Sequence, residues 1–182
     1  MAEKRLAIYV SASPEMDVEC ELLGQLLADV PKSVKWSIKR TPSYHQHQNP
    51  DIGGLRAGQF YLILLGMDIM APIGVEWLAA RHASLVTFAF RKLDTTPSPA
   101  AAYFARDSGI SWLPYHTPQG FVNRFERALI TRLIEGSPGY GLDLADIEEL
   151  SERLKGREQE IERAESEERR GAGKGGVILP AG

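Results

Sequence analysis

The chain has 182 residues, 24 acidic against 21 basic side chains, and a single cysteine, Cys20. That length fits one ordinary domain plus an appendage, and a net charge of −3 without a basic stripe argues against a nucleic-acid partner. One cysteine excludes a disulfide-stapled scaffold and fits a reducing, cytoplasmic compartment. The longest apolar run, Phe60 to Leu65, is far short of the roughly 18 residues that span a bilayer, and MAEKRLAIYVSAS has no signal-peptide pattern. A soluble protein without a membrane partner is expected.

In chain order, Leu6–Val10 predicts a strand, ended by Ser11-Ala12-Ser13-Pro14. Met16, Cys20, Leu23, Leu27 and Val30 then recur at helical spacing, with Ser13 as N-cap, Pro14 at the first helical position and Glu15, Asp17 and Glu19 near the positive end of the dipole. Pro31 stops that helix. Val34–Ile38 alternates polar and apolar, the mark of a half-exposed edge strand, and a polar loop, TPSYHQHQNPDIGG, follows. Phe60–Leu65, apolar on both faces and ended by Gly66, predicts a central parallel strand. Pro72 opens a helix to about His82, and Leu85–Phe90 is a further strand. Ser98–Ser108 is a helix ended by Gly109, Ile110–Tyr115 a last short strand, and Thr117 caps a helix to Ile134. Repeated β/α units of this kind predict an α/β, flavodoxin-like, doubly wound three-layer sandwich with about five parallel strands.

After Gly136-Ser137-Pro138-Gly139 charge dominates. Ile147, Leu154 and Ile161 stand seven apart with Leu150 and Ala164 between them, and Arg157 interrupts the seam. The division expected is an α/β domain at 1–137, a charged linker or coiled-coil-like helix at 138–170, and a flexible tail at 171–182 that leads towards a further domain. A solvated linker helix is favoured over a docking helix.

Ligands of doubly wound sheets bind at the carboxyl ends of the strands, here Ser11–Met16, the 42–54 loop, Gly66–Glu76, Phe90–Pro97 and His116–Gln119. No GxxxxGK[ST] or GxGxxG follows a strand, so the usual phosphate cradle is missing. The acid pair and lysine of a phosphoacceptor domain, and the phosphate loop expected for flavin mononucleotide, are missing too. His45-Gln46-His47, with His82 and His116 the only other histidines, lacks nearby partners, so no metal is expected. Ser11 and Ser13 sit in no GxSxG elbow.

One segment stands out: Gly66-Met67-Asp68-Ile69-Met70-Ala71-Pro72-Ile73-Gly74-Val75-Glu76-Trp77. On a helix opened by Pro72, Ile73, Trp77 and Ala80 make the buried stripe and Glu76 lies on its flank, roughly 60° from Ile73. A carboxylate held there suits the stabilisation of, or attack on, an oxocarbenium-like ribose C1′. A helix-start glutamate favoured by the dipole is the plainer alternative.

The opening LAIYVSASPEMDVECELLGQLL, with its strand, Ser-Ala-Ser and acid-rich first helical turns, resembles Toll/interleukin-1 receptor (TIR)-like domains, most closely their bacterial relatives. The block LILLGMDIMAPIGVEWLAARHASLVTFAF is similar to their second signature: an apolar strand ending in Gly, a loop, a helix-borne Glu and another apolar strand. Nucleoside deoxyribosyltransferases share this layout. The likeness covers most of residues 6–135. It implies Glu76 as the catalytic carboxylate, Ser11, Ala12 and Ser13 lining the pocket, and Gly66 and Asp68 in the loop that closes it. Pro72 and Ile73 occupy places where the TIR pattern sets a Trp and a Cys or Ser, and Trp77 follows the Glu as the nearest aromatic. The resemblance implies a signalling or defence effector that cleaves the N-glycosidic bond of NAD or a related nucleotide as substrate, with no cofactor. The alternatives are a catalytically silent self-assembly module, resting on the Trp36 strand and the charged helix, and a nucleotide sensor without turnover.

Overall fold

The computed structural model describes residues 4–43, 46–137 and 139–172. Five parallel strands, β1 (Lys4–Ser11), β2 (Val34–Arg40), β3 (Phe60–Leu65), β4 (Val86–Lys92) and β5 (Leu113–Tyr115), form one sheet in the order β2-β1-β3-β4-β5. This is the flavodoxin-like, doubly wound arrangement expected. Every side chain of β3 is buried, because β1 and β4 flank it and helices cover both faces.

The helices are α1 (Asp17–Asp29), α2 (Ile52–Arg56), α3 (Ala71–His82), α4 (Pro99–Asp107), α5 (Pro118–Glu135) and α6 (Leu144–Ala172). On one face, Ile8, Val10, Phe60, Leu62 and Phe90 pack under Leu23 and Leu27 of α1 and Phe121, Phe125 and Leu129 of α5. Phe121 and Phe125 are wholly buried, and Phe90 meets Phe121 edge-on with ring centroids 5.1 Å apart. Removing such a ring costs about 3–5 kcal/mol. On the other face Tyr9, Tyr61 and Ile63 pack under Leu55, Ile73 and Ala80. Helix starts follow the capping rules in part: the Ser98 and Thr117 hydroxyls accept from the amides of Ala101 and Gly120.

Four local departures have physical causes. Ser13 stands at the head of a short 3₁₀ turn, Pro14–Met16, but its hydroxyl makes no capping bond. The expected 42–54 loop gives way to α2, where the Asp51 carboxylate accepts from the Gly54 amide; this cap starts a helix despite two glycines. Only Leu113–Tyr115 of the expected last strand pairs with β4, as Trp112 Nε1 donates to the Ala105 carbonyl at 3.0 Å and draws the preceding chain towards α4.

The fourth departure is α6. Leu150 is 1 % exposed, and Leu142, Ile147 and Leu154 join the α1/α5 core, so this stretch is docked rather than solvated. Asp143 and Asp146 accept from each other's amides at 3.0 and 2.9 Å, which fixes the first turn. Arg157, the apparent break in the seam, donates through Nε to the buried Glu126 carboxylate at 2.8 Å, and Arg153 does so at 2.5 Å. The seam positions Ile161 and Ala164, and the tail from Gly173, lie outside the described side chains.

Candidate functional site

Alternation places Tyr9 and Ser11 on the same face of β1, and the parallel register sets Tyr9 beside Tyr61 of β3. Helix α3 crosses that face. Its buried stripe is Ile73, Glu76, Ala79 and Ala80, which corrects the expected phase: Glu76 points inward and Trp77 takes the flank. The carboxylate is 0 % exposed. One oxygen accepts from the Tyr9 hydroxyl at 2.7 Å; the other accepts from Ser11 Oγ at 2.5 Å and Thr41 Oγ1 at 2.6 Å. The Tyr61 hydroxyl donates in turn to Ser11 Oγ at 2.8 Å. Three hydroxyls from two strand ends thus converge on one carboxylate, each such bond contributing about 1.5–3 kcal/mol when the acceptor is charged.

The tyrosines are fixed as donors. Burial, followed by the bond to Glu76, pushes the Tyr9 phenol far above its ordinary value. Burial does the same for Tyr61, opposed by its bond to Ser11. Neither phenol ionises in the neutral range, so neither competes with the carboxylate for charge.

The charge environment separates Glu76 from the other fully buried glutamates. Glu19 pairs with Lys92 at 2.9 Å and Glu126 with Arg153 and Arg157. Among the described residues, no cation stands within ion-pair distance of Glu76. It lies at the β1/β3 junction, where the strand order changes direction and doubly wound sheets take their ligands.

Above it is a crevice of about 240 Å³, with Ala12, Arg40, Thr41, Ser43, Gln46 and Met70 among its walls. Thr41 belongs to both the wall and the carboxylate's shell. The Arg40 guanidinium is held by Asp17 at 2.6 Å and by the Ser13 carbonyl at 3.0 Å. Ser13 itself is 4 % exposed, and its buried hydroxyl has no hydrogen-bond partner among the described residues.

Of the residues expected at the site, Ser11 touches Glu76 and Ala12 lines the crevice, with Ser13 next along the chain. Gly66 and Asp68 lie in the loop leading to α3. A Cβ at Gly66 would run into Met16 Cε and Glu15 Oε1, so any larger residue makes those two side-chain ends shift. Glu15 Oε1 accepts from the amides of Met67 and Asp68, tying that loop to the turn before α1. The exposed Asp68 carboxylate is held below its ordinary range by the Ser98 hydroxyl and the Ile69 amide. Trp77 stacks on Tyr61 at 6.2 Å and lines a separate groove between α3 and α4, away from the crevice.

Sequence reasoning missed Tyr9, Thr41 and Arg40. The two-residue spacing of Tyr9 and Ser11 was the available signal for the first, whereas Thr41 and Arg40 are brought in by the β1/β2 register. No group of three His, Cys, Asp or Glu side chains among the described residues is placed to hold a metal; His45 lies outside them. Burial pushes the Cys20 thiol up to about 11, leaving it unionised at neutral pH. No described helix is long and apolar enough to cross a membrane.

Fold and site together define a doubly wound α/β domain with a hydroxyl-held, cation-free carboxylate beneath a crevice at the strand-order junction. No family model, curated protein or solved structure matches this chain.

Proposed function

We propose that the chain is a TIR-like effector domain that cleaves the N-glycosidic bond of NAD or a related nucleotide, with Glu76 as the catalytic carboxylate. The observation carrying this reading is the buried glutamate whose shell, among the described residues, contains hydroxyls and no cation. A buried negative charge normally has a positive partner. A cationic ribosyl centre would supply the partner this one lacks, and only as it forms, so the interaction favours the transition state over the ground state.

The C1′–N bond breaks with its electron pair leaving on nitrogen; a pyridinium nitrogen becomes neutral in doing so and needs no proton. The carboxylate stabilises the oxocarbenium cation, water adds to C1′, and its proton passes to solvent. A substrate ribose reaches Glu76 where Thr41 now stands, a hydroxyl of the sugar replacing that of the threonine. The crevice volume of about 240 Å³ is below the roughly 300–1,000 Å³ of pockets for drug-sized ligands. It therefore takes the ribosyl end of a nucleotide and leaves the remainder at the surface.

The test is nicotinamide release from NAD by the concentrated protein on a crowding surface, beside Glu76→Gln. Release that disappears in the variant supports the reading. No release from folded, self-associated protein overturns it.

A second reading, a silent self-assembly module, is favoured by Val75, Leu78 and Tyr103, each more than half exposed and all lining the α3–α4 groove. Sedimentation of Leu78→Glu separates the two, since assembly lost there without any turnover in the parent protein leaves the module alone.

A further inference from the structure

The last strand is shorter than its neighbour. Strand β4 has seven residues, but β5 pairs only with Phe90, Arg91 and Lys92. Among the described residues, the side of β4 facing away from β3 therefore has no ladder partner over Val86–Ala89. Unpaired strand edges recruit other chains, and folds ordinarily cover or blunt them. Here the edge opens onto a groove of about 820 Å³, larger than the crevice above Glu76 and at the opposite end of the strands. Ser84–Phe88 and Leu113 line it on one side, and residues of α5 line it on the other.

That wall is basic. Arg124, Arg127 and Arg132 line it against a single acid, Glu135. At ~100° per residue the three arginines fall within one side of the helix. Arg127 makes a loose, exposed pair with Glu158 at 3.7 Å. Among the described residues, no carboxylate lies within ion-pair distance of Arg124 or Arg132. The wall thus carries donors in excess of its acceptors, beside a strand that, among the described residues, has no ladder partner on that side over Val86–Ala89.

We propose that this groove binds an extended acidic peptide segment of a partner protein, which continues the line of β5 and pairs with β4 over Val86–Ala89. Main-chain bonds to the edge provide the register. Carboxylates on alternate residues, on the side facing α5, meet the guanidinium groups. A nucleic acid is the less fitting occupant, because the groove presents a strand edge and no exposed aromatic platform for bases. This inference is independent of Glu76 and of any glycosidic activity.

The test uses the full chain and a fluorescein-labelled Glu-Val-Glu-Val-Glu-Val peptide, with Lys-Val-Lys-Val-Lys-Val, a copy of the acidic peptide N-methylated at alternate residues, and a 12-mer oligouridine as comparators. Anisotropy is expected to show salt-sensitive binding of the acidic peptide. Binding should weaken at least tenfold both for the N-methylated copy and for the double variant Arg124→Glu/Arg132→Glu. The variant should melt as the parent does, since both side chains are exposed. Amide exchange over Val86–Ala89 should slow with peptide bound. Absence of binding, equal binding of the lysine or N-methylated peptide, tighter binding of oligouridine, or unchanged exchange over Val86–Ala89 would each overturn the proposal.

Discussion

Glu76 and Glu126 are equally buried and differently answered. Both are 0 % exposed. Glu126, on α5, is met by two guanidinium groups from α6, each about one-third exposed. Glu76, on α3, is met by three hydroxyls and, among the described residues, by no cation. A salt-bridged carboxylate has its charge answered within the fold and serves to fasten one helix to another. A carboxylate held by neutral dipoles is solvated in place of water, with no opposite charge in its shell. Burial alone thus says little about role; the partners decide it.

The contrast can be broken most strongly at Glu76. Gln there keeps the shape and removes the charge, so nicotinamide release should fall by about a thousandfold while stability in urea changes by only about 1–2 kcal/mol. At the other carboxylate, Arg153→Ala with Arg157→Ala leaves Glu126 uncompensated. Loss of one side of a fully buried pair costs about 3–5 kcal/mol, reduced here to about 2 kcal/mol because the arginines are partly solvated. The urea midpoint should fall by about 1 M, with turnover per folded molecule unchanged. Adding Glu126→Gln to that double variant should restore part of the loss.

Smaller effects sharpen the picture around the loop before α3. Gly66→Ala forces a Cβ against the buried Met16 and the flexible Glu15. It should lower the melting temperature by about 3 °C, equivalent to about 1 kcal/mol. The least effect is the pH response of Asp68. Its folded pKa is depressed, so its stabilising bonds are fully present above the unfolded value of about 4 and are lost as pH falls through the lower folded value. The melting difference between the parent chain and Asp68→Asn should therefore be constant above about pH 5 and shrink below pH 4.

Most of the sheet was legible because its signals are local. Phe60–Leu65, short, apolar on both faces and ended by Gly66, has the pattern of a central strand, and Pro72 and Thr117 mark helix starts through a fixed φ and a capping hydroxyl. The site was legible in part. Ser-Ala-Ser and Glu76 were singled out, but the helix phase was misjudged because a hydrophobic stripe counts Trp77 as inside and a carboxylate as outside. Only the hydroxyls of Tyr9, Ser11 and Thr41 make an inward Glu76 affordable, and they come from residues 67 to 35 positions away in sequence. The same blindness applied to α6: Arg157 looks like a fault in an apolar seam until Glu126, 31 residues earlier, is brought beside it. Asp51 similarly starts α2 through one side-chain bond, which no periodicity displays.

The convergence on Glu76 also links occupancy to rigidity. Its donors stand at the end of β1 and just after β2, and Tyr61 of β3 reaches it through Ser11. A ligand hydroxyl that displaces Thr41 takes over one of the bonds joining three strands to one helix. In the proposed reaction such a hydroxyl would release the end of β2 from the carboxylate while the bonds from β1 remain. Binding by that route would register as faster amide exchange at the end of β2, with β1 and β3 unchanged.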